Sequence, residues 1–322
     1  MLRCCRRRAH CHADLVVVKT HEAVSPVGRK CSVLMRLSRR PIGLDKSYEY
    51  APLIAPSGSL GMPEIIHPIR FHQSVGNGRT QPSRVTCEKA DSSTVEVIAK
   101  FSARCDLGVA SLAMEVIAAS LGADLGLPVA TAYLLEVDQE WVESIADRDQ
   151  KALIGQSNPM AFGSADFGNG FHIWSAGDGT NAELLETAAA IFAFDGFIVN
   201  PDRRPENPNC LIRGSQIRIF DHEAAFFYRG IIPWINPWQV GGLAAMAGRH
   251  IFFDPLKGSG VDLRAVEEAW GGLSEEQIAS YQHAIPSDWG DAASAVDDAI
   301  SLMQGVRNNI GEALDEVRRV LA

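Results

Sequence analysis

The chain has 322 residues, 46% of them hydrophobic, with 30 Lys and Arg against 39 Asp and Glu for a formal net charge of −9. That length accommodates one large core or two lobes, and no apolar run approaches the roughly eighteen residues that a membrane-spanning helix needs. The acidic balance argues against nucleic acid as the main partner, because phosphate neutralisation requires clustered Lys and Arg.

The charge is uneven. Residues 1–40 contain ten Lys or Arg against only Asp14 and Glu22, a net of +8, so the remainder carries −17. Four of the seven cysteines (Cys4, Cys5, Cys11 and Cys31) lie in this basic head. Their spacing matches no standard zinc pattern, and no disulfide framework follows from them. The turn-rich "APLIAPSGSLGMPE" separates this head from the body: residues 1–61 read as a disordered leader or a mis-started extension, and the folded, cytoplasmic body is expected from Met62 onward. Next comes "SVGNGRTQPSR", whose Gly76 and Gly78 suit a loop with backbone N–H groups approaching phosphate oxygens.

Two β-branched, alternating segments, "SRVTCE" and "STVEVIAKF", flank the turn "KADS" and predict an antiparallel pair. "LGVASLAMEVIAASLGADLG" predicts a helix with Leu112, Glu115, Val116 and Ala119 on one stripe, ended by Gly126 and Pro128. "VATAYLLEV" is a third strand. From 138 helical patterns dominate, interrupted by a loop "NPMAFGSADFGNG" and by the stretch around 200–228. The change of character near 137 predicts a strand-rich lobe over 62–137 and a helical lobe over 138–322, with a ligand cleft between them.

Residues 200–209, "NPDRRPENPN", leave the apolar segment "AAAIFAFDGFIV" with far more polar groups than a connector needs. A calcium loop would place oxygen ligands at alternating positions around a turn Gly, and Arg203 and Arg204 directly after Asp202 break that pattern. Phosphoryl transfer asks for an Asp to orient the attacking hydroxyl, an Asn five residues later to hold magnesium and a further Asp beyond. Asp202, Asn207 and Asp221 meet that spacing, with the short segments "CLIR" and "IRIF" forming a hairpin between the last two. ATP phosphates also need a cation. Lys100 ends a strand, and Glu115 on the apolar stripe is a carboxylate that needs a partner, although a lone strand-end Lys is more often solvated. The tripeptide "DFG" at Asp166–Gly168 precedes Asp202 and reads as loop structure. His222 reads as structural, Asp195 as a support for the loop backbone, and Trp234 and Trp238 as packing.

The segment "FDGFIVNPDRRPENPNCLIRGSQIRIFDHEAAF" resembles the signature of HipA-like kinases, in the small bacterial branch that lacks an extra N-terminal module. The resemblance extends to "GRTQPSRVTC", "VIAKF", "AMEVIAASLGADLGLPVATAYLLEV" and "AFGSADF", roughly residues 70–230, while the C-terminal helices match only loosely. It implies an α+β, two-lobed, protein-kinase-like fold with ATP and Mg2+ between a small β-rich N-lobe and a larger helical C-lobe. It further implies Asp202 as catalytic Asp, Asn207 and Asp221 as metal ligands, Lys100 on the phosphates, and Ser/Thr phosphorylation. Two departures from eukaryotic kinases, Asn200 in place of a His before Asp202 and no Gly two residues after Asp221, argue against an activation-loop switch. Two other classes stay open: a kinase for a small molecule or lipid head group, and a nucleotide-binding partner protein without turnover, against which intact Asp202 and Asn207 speak.

Overall fold

The computed structural model describes residues 63–75, 80–178 and 182–322. The expected leader, and with it Gly76 and Gly78, lies outside the described residues. The first lobe is a closed barrel of five strands in the order β1-β2-β3-β5-β4: β1 (Glu64–Ser74), β2 (Ser83–Glu88), β3 (Thr94–Lys100), β4 (Ala132–Glu136) and β5 (Met160–Ala165).

Alternation places every second side chain inside. Val85 and Cys87 of β2 and Val97 and Ala99 of β3 are fully buried, and the antiparallel register sets Val85 opposite Val97 and Ser83 opposite Ala99. β1 was not legible from the sequence. Only Ile66 and Pro68 along it are buried, with Phe71 half-buried against the barrel core, and Pro68 sits at a register shift against β2, so neither alternation nor β-propensity marks the strand. β1 also runs parallel to β4, pairing Ile65 with Leu134, which closes the sheet and leaves no long edge exposed.

β5 corrects the expected loop at "NPMAFGSADFGNG" and the expected lobe boundary at 137. It hydrogen-bonds to both β3 and β4, so the strand-rich lobe continues to residue 165. Its small residues hid it. A Cβ added to Gly163 would lie 2.4 Å from Leu135 Cδ1, a crowding that favours glycine at this close approach. Two short helices between β4 and β5, α2 (Gln139–Ser144) and α3 (Arg148–Gly155), seat Trp141, Val142, Leu153 and Ile154 in the barrel's core.

A second correction concerns the helix before β4. This helix, α1 (Val109–Asp124), is buried from Ala110 through Ala119, as an element apolar around its whole circumference must be. Its side chains belong to the core of the helical lobe, so the element expected to complete the N-lobe serves as the floor between the two.

The helical lobe is built around α4 (Ala182–Phe197), whose Ile191, Phe192, Phe194 and Phe197 are fully buried. Beside α4 lies a three-stranded antiparallel sheet of β6 (His172–Ile173), β7 (Cys210–Arg213) and β8 (Gln216–Ile219), the last two forming the expected hairpin. Helices α5 (Phe253–Leu256), α6 (Arg264–Gly271), α7 (Glu275–Ser280), α8 (Ala293–Asn308) and α9 (Ile310–Leu321) complete it. Among the described residues no helix is long and apolar enough to cross a membrane. The architecture is two-lobed and protein-kinase-like. Gly163→Val is expected to lower stability by about 1–3 kcal/mol through overpacking, read as a fall in the urea midpoint, with Gly163→Ala falling less.

Candidate active site

The exit of α4 is fixed by a buried ion pair. Asp195 and Arg203 are both fully removed from solvent, and the Asp195 carboxylate accepts from Arg203 Nε at 2.5 Å and from Nη2 at 3.2 Å. It also accepts from Asn200 Nδ2 at 2.7 Å and from His250 at 3.1 Å. His250 Nδ1 accepts the Phe252 N–H at 3.1 Å, which puts the ring proton on Nε2, facing Asp195. Arg203 spends its remaining donors on the backbone oxygens of Asn209 and Phe220 and on His222 Nε2.

Asp195 therefore does support the loop, chiefly through side chains rather than through the backbone as the sequence suggested. Burial alone would raise its pKa, but Arg203 and His250 outweigh that and hold the carboxyl well below its usual range. His222 is buried and structural, its pKa pushed down to about 3 by burial and by the Arg203 charge.

With the loop so tied, Asp202 stands at its surface. Its carboxylate accepts from Asn207 Nδ2 at 2.7 Å, from Asn209 Nδ2 at 3.3 Å and from Arg204 Nη2 at 2.9 Å. A carboxylate only accepts, so the Asn207 amide turns its NH2 toward Asp202 and keeps its oxygen for another partner.

Across the cleft, Lys100 meets Glu115 at 2.6 Å, Asp221 at 2.6 Å and Glu223 at 2.9 Å. The pairing of Lys100 with Glu115 expected from the sequence is present, with the two side chains only 7% and 2% exposed. Burial opposes the Lys100 charge, yet the three carboxylates outweigh it and raise its pKa well above the usual lysine range. Asp221 is shifted down because Lys100 overcomes the effect of burial, whereas burial dominates at Glu115 and Glu223 and shifts both up. Glu115 also accepts the His222 backbone N–H at 2.9 Å, fastening α1 to the segment that carries Asp221.

Glu223 was missed by the sequence reading. No local pattern marked it: Asp221 takes positive φ and the chain turns there, which brings Glu223 to Lys100. Glu115, Asp221 and Glu223 offer carboxylate oxygens that all lie within 4.8 Å of one another, an oxygen-rich set of the kind that hard divalent cations take, with Asn207 on the same cleft. The cleft has a volume of about 560 Å³ and is walled by apolar side chains including Ile98, Phe162, Leu211 and Ile219. Asp166 of the "DFG" tripeptide lines it too but pairs with Arg84 at 2.9 Å, outside the Lys100 cluster. Trp234 and Trp238 pack against the core of the helical lobe, Trp234 stacking on Tyr228.

Lys100 at the end of β3 thus meets Glu115 of α1 and Asp221 beyond β8 beside a cleft lined by Asn207, whose amide is bonded to Asp202. The chain belongs to the HipA-like kinases, whose family description matches residues 69–233, just over half of its length. No curated protein matches it. Among solved structures it is similar to the Helicobacter pylori proinflammatory kinase CtkA, at 14% identity over 76% of this chain and 96% of that one, with a TM-score of 0.42.

Arg203→Met is expected to destabilise the protein by about 3–5 kcal/mol, since it leaves Asp195 buried without its charge partner; chemical denaturation reads this directly. A pH effect follows from His250, whose pKa burial lowers despite the neighbouring Asp195. Below the ordinary histidine range of about 6.5 the unfolded chain binds a proton that the folded one refuses, so stability falls with falling pH at up to about 1.4 kcal/mol per unit. Thermal melts of wild type and His250→Gln between pH 4 and 8 should coincide in slope above that range and diverge below it, with the variant the flatter.

Proposed function

We propose that the protein transfers the γ-phosphoryl group of ATP, with Mg2+, to a hydroxyl acceptor, as a HipA-like serine/threonine kinase. The observation that carries this reading is the meeting of Lys100 with both Glu115 and Asp221 at 2.6 Å, which joins β3, α1 and the end of β8 into one charged site. One ammonium stands there against three carboxylates, so a triphosphate entering alone would meet excess negative charge. A divalent cation on Asp221 and the Asn207 oxygen would offset that charge and the charge of the β- and γ-phosphates.

Lys100, steadied by Glu115, is placed to reach the phosphates, and the apolar walls of the cleft suit the base. Asp202 is the group to orient the acceptor hydroxyl and receive its proton, while Asn207, Asn209 and Arg204 hold its carboxylate in place. Gly76 and Gly78 retain their proposed role of covering the phosphates. A partner protein that only binds nucleotide would have no use for Asp202 held in this way.

Magnesium-ATP at a hundredfold excess over its dissociation constant is expected to stabilise the fold by about 2.7 kcal/mol, and a melting midpoint unmoved at millimolar magnesium-ATP would refute the nucleotide reading. Asp202→Ala should abolish phosphotransfer and spare nucleotide binding, because its contacts belong to the reacting complex. Asp221→Ala should lose both. Calorimetry and autophosphorylation on the two variants separate the roles, and full transfer by Asp202→Ala would remove the catalytic assignment.

A further inference from the structure

A second cavity, of about 320 Å³, opens beside the α4 exit loop, and Asp202 contributes to its lining. The nucleotide cleft is lined instead by Asn207, one hydrogen bond of 2.7 Å from the Asp202 carboxylate. Asp202 thus borders the second space while its partner Asn207 lines the cleft, and its carboxylate, 28% exposed, is open to an acceptor hydroxyl seated in that second space. That space is walled by Phe227, Ile231, Trp234 and Leu243, with Arg204 and the exposed Arg249 beside them and Asp202 as its only acidic residue. In a body with a net charge of −17 beyond residue 40, a pocket edged by arginine stands out. Arg204 Nε is buried without a hydrogen-bond partner.

The wall is held in place by the helical lobe. Glu316 of α9, itself buried, accepts the backbone N–H of Gly241 at 2.9 Å and of Leu243 at 3.3 Å. A Cβ at Gly242 would lie 2.1 Å from the Asn236 carbonyl oxygen, and one at Gly305 would meet the Trp238 ring at 2.4 Å, so the segment is packed tightly onto itself and onto α8. From this fixed wall Ile231, Ile232, Ile235 and Val240 project into solvent, Ile232 at 93% exposure. Grouped exposed apolar side chains of this kind mark an interaction surface.

We propose that the second cavity selects among polypeptide acceptors, favouring a segment that seats an apolar side chain against Ile231 and Trp234 and sets an acidic side chain on Arg249 while its hydroxyl reaches Asp202. This rests on the phosphotransfer reading above. The acceptor oxygen forms a bond to the γ-phosphorus of ATP as its proton passes to the Asp202 carboxylate and then to water. The bond from that phosphorus to the β–γ bridging oxygen breaks, and ADP leaves with the electron pair. A lipid surface would call for a cluster of some four to eight basic residues, whereas here three arginines line the pocket, of which Arg203 is paired with Asp195 and Arg204 with Asp202.

The test uses the full chain with magnesium and radiolabelled ATP on two peptides that differ in one residue: a Ser flanked by Leu and Asp, and the same peptide with Lys for Asp. Wild type should favour the acidic peptide in kcat/KM by about tenfold or more, and Arg249→Glu should reverse that preference. Ile231→Asp should raise KM for the acidic peptide while the magnesium-ATP dissociation constant, measured by calorimetry, stays unchanged. Equal use of both peptides, or a preference unaltered by Arg249→Glu, would overturn the proposal. So would label appearing in phosphatidylcholine–phosphatidylinositol vesicles or in a free polyol but in neither peptide. If magnesium-ATP binds and autophosphorylation proceeds without charge selection, only the acceptor inference falls; if ATP is neither bound nor turned over, the phosphotransfer reading falls and takes the inference with it.

Discussion

The arrangement of the candidate site depends on one buried ion pair, Arg203 with Asp195. Two ionised groups without solvent are tolerable only when each is fully hydrogen-bonded, and here the requirement is met by drawing in Asn200, His222, His250 and the carbonyl oxygens of Asn209 and Phe220. Satisfying the pair therefore fixes both ends of the 200–209 loop and the end of β8 at the same time. The residues on either side of Arg203 are left for chemistry because Arg203 itself is not. Ile251 also donates its N–H to the Arg203 carbonyl at 3.2 Å, so the segment bordering the second cavity is tied to the same hub.

The second cluster, around Lys100, has the opposite character. Its charges are unbalanced, with one ammonium facing Glu115, Asp221 and Glu223. The Arg203 hub is closed and self-sufficient; the Lys100 cluster is partly open, Asp221 remaining about a quarter exposed. On the phosphotransfer reading the cluster exchanges partners with incoming phosphates and cannot have every charge answered internally, whereas a hub that must hold its shape has to. The fold separates the tasks by burying one completely and leaving the other at a cleft wall.

Backbone strain gathers between these clusters. Val199, Asn209, Asp221 and Phe226 all take positive φ, at 55°, 43°, 62° and 67°. Asn and Asp accept that region with little penalty, and at Asp221 it turns the chain just past β8 so that the carboxylate faces Lys100. Val199 is different, since a β-branched residue is disfavoured there. It caps α4 where glycine would be easiest, and the surrounding bonds, Asn200 N–H to the Asp195 carbonyl at 2.8 Å and Phe226 N–H to that of Ile198 at 2.7 Å, over-determine the turn. The side chain that glycine would lack lines the second cavity, which gives the strained valine a place in the wall.

The sequence alone determined what depends on local spacing: the β2–β3 hairpin, α1, β4, the β7–β8 hairpin, and the order Lys100, Glu115, Asp202, Asn207, Asp221, because alternation, helical periodicity and the exit of an apolar helix are properties of neighbouring residues. Tertiary structure alone decided what depends on contacts distant in sequence. β1 and β5 lack alternation and exist because β2, β3 and β4 offer them ladders, which carries the barrel lobe past residue 137. α1 joined the helical core because a helix apolar on every side needs cover from α8 as well as from the sheet. Nothing local in the sequence set Arg203 apart from Arg204, and only the burial of Asp195 beneath it made it the hub. Glu223 and the wall from Ile231 to Met246 carried no motif. Their placement beside Lys100 and Asp202 comes from the turn after β8 and from Glu316, more than seventy residues further on, and no local pattern encodes an interaction across that distance.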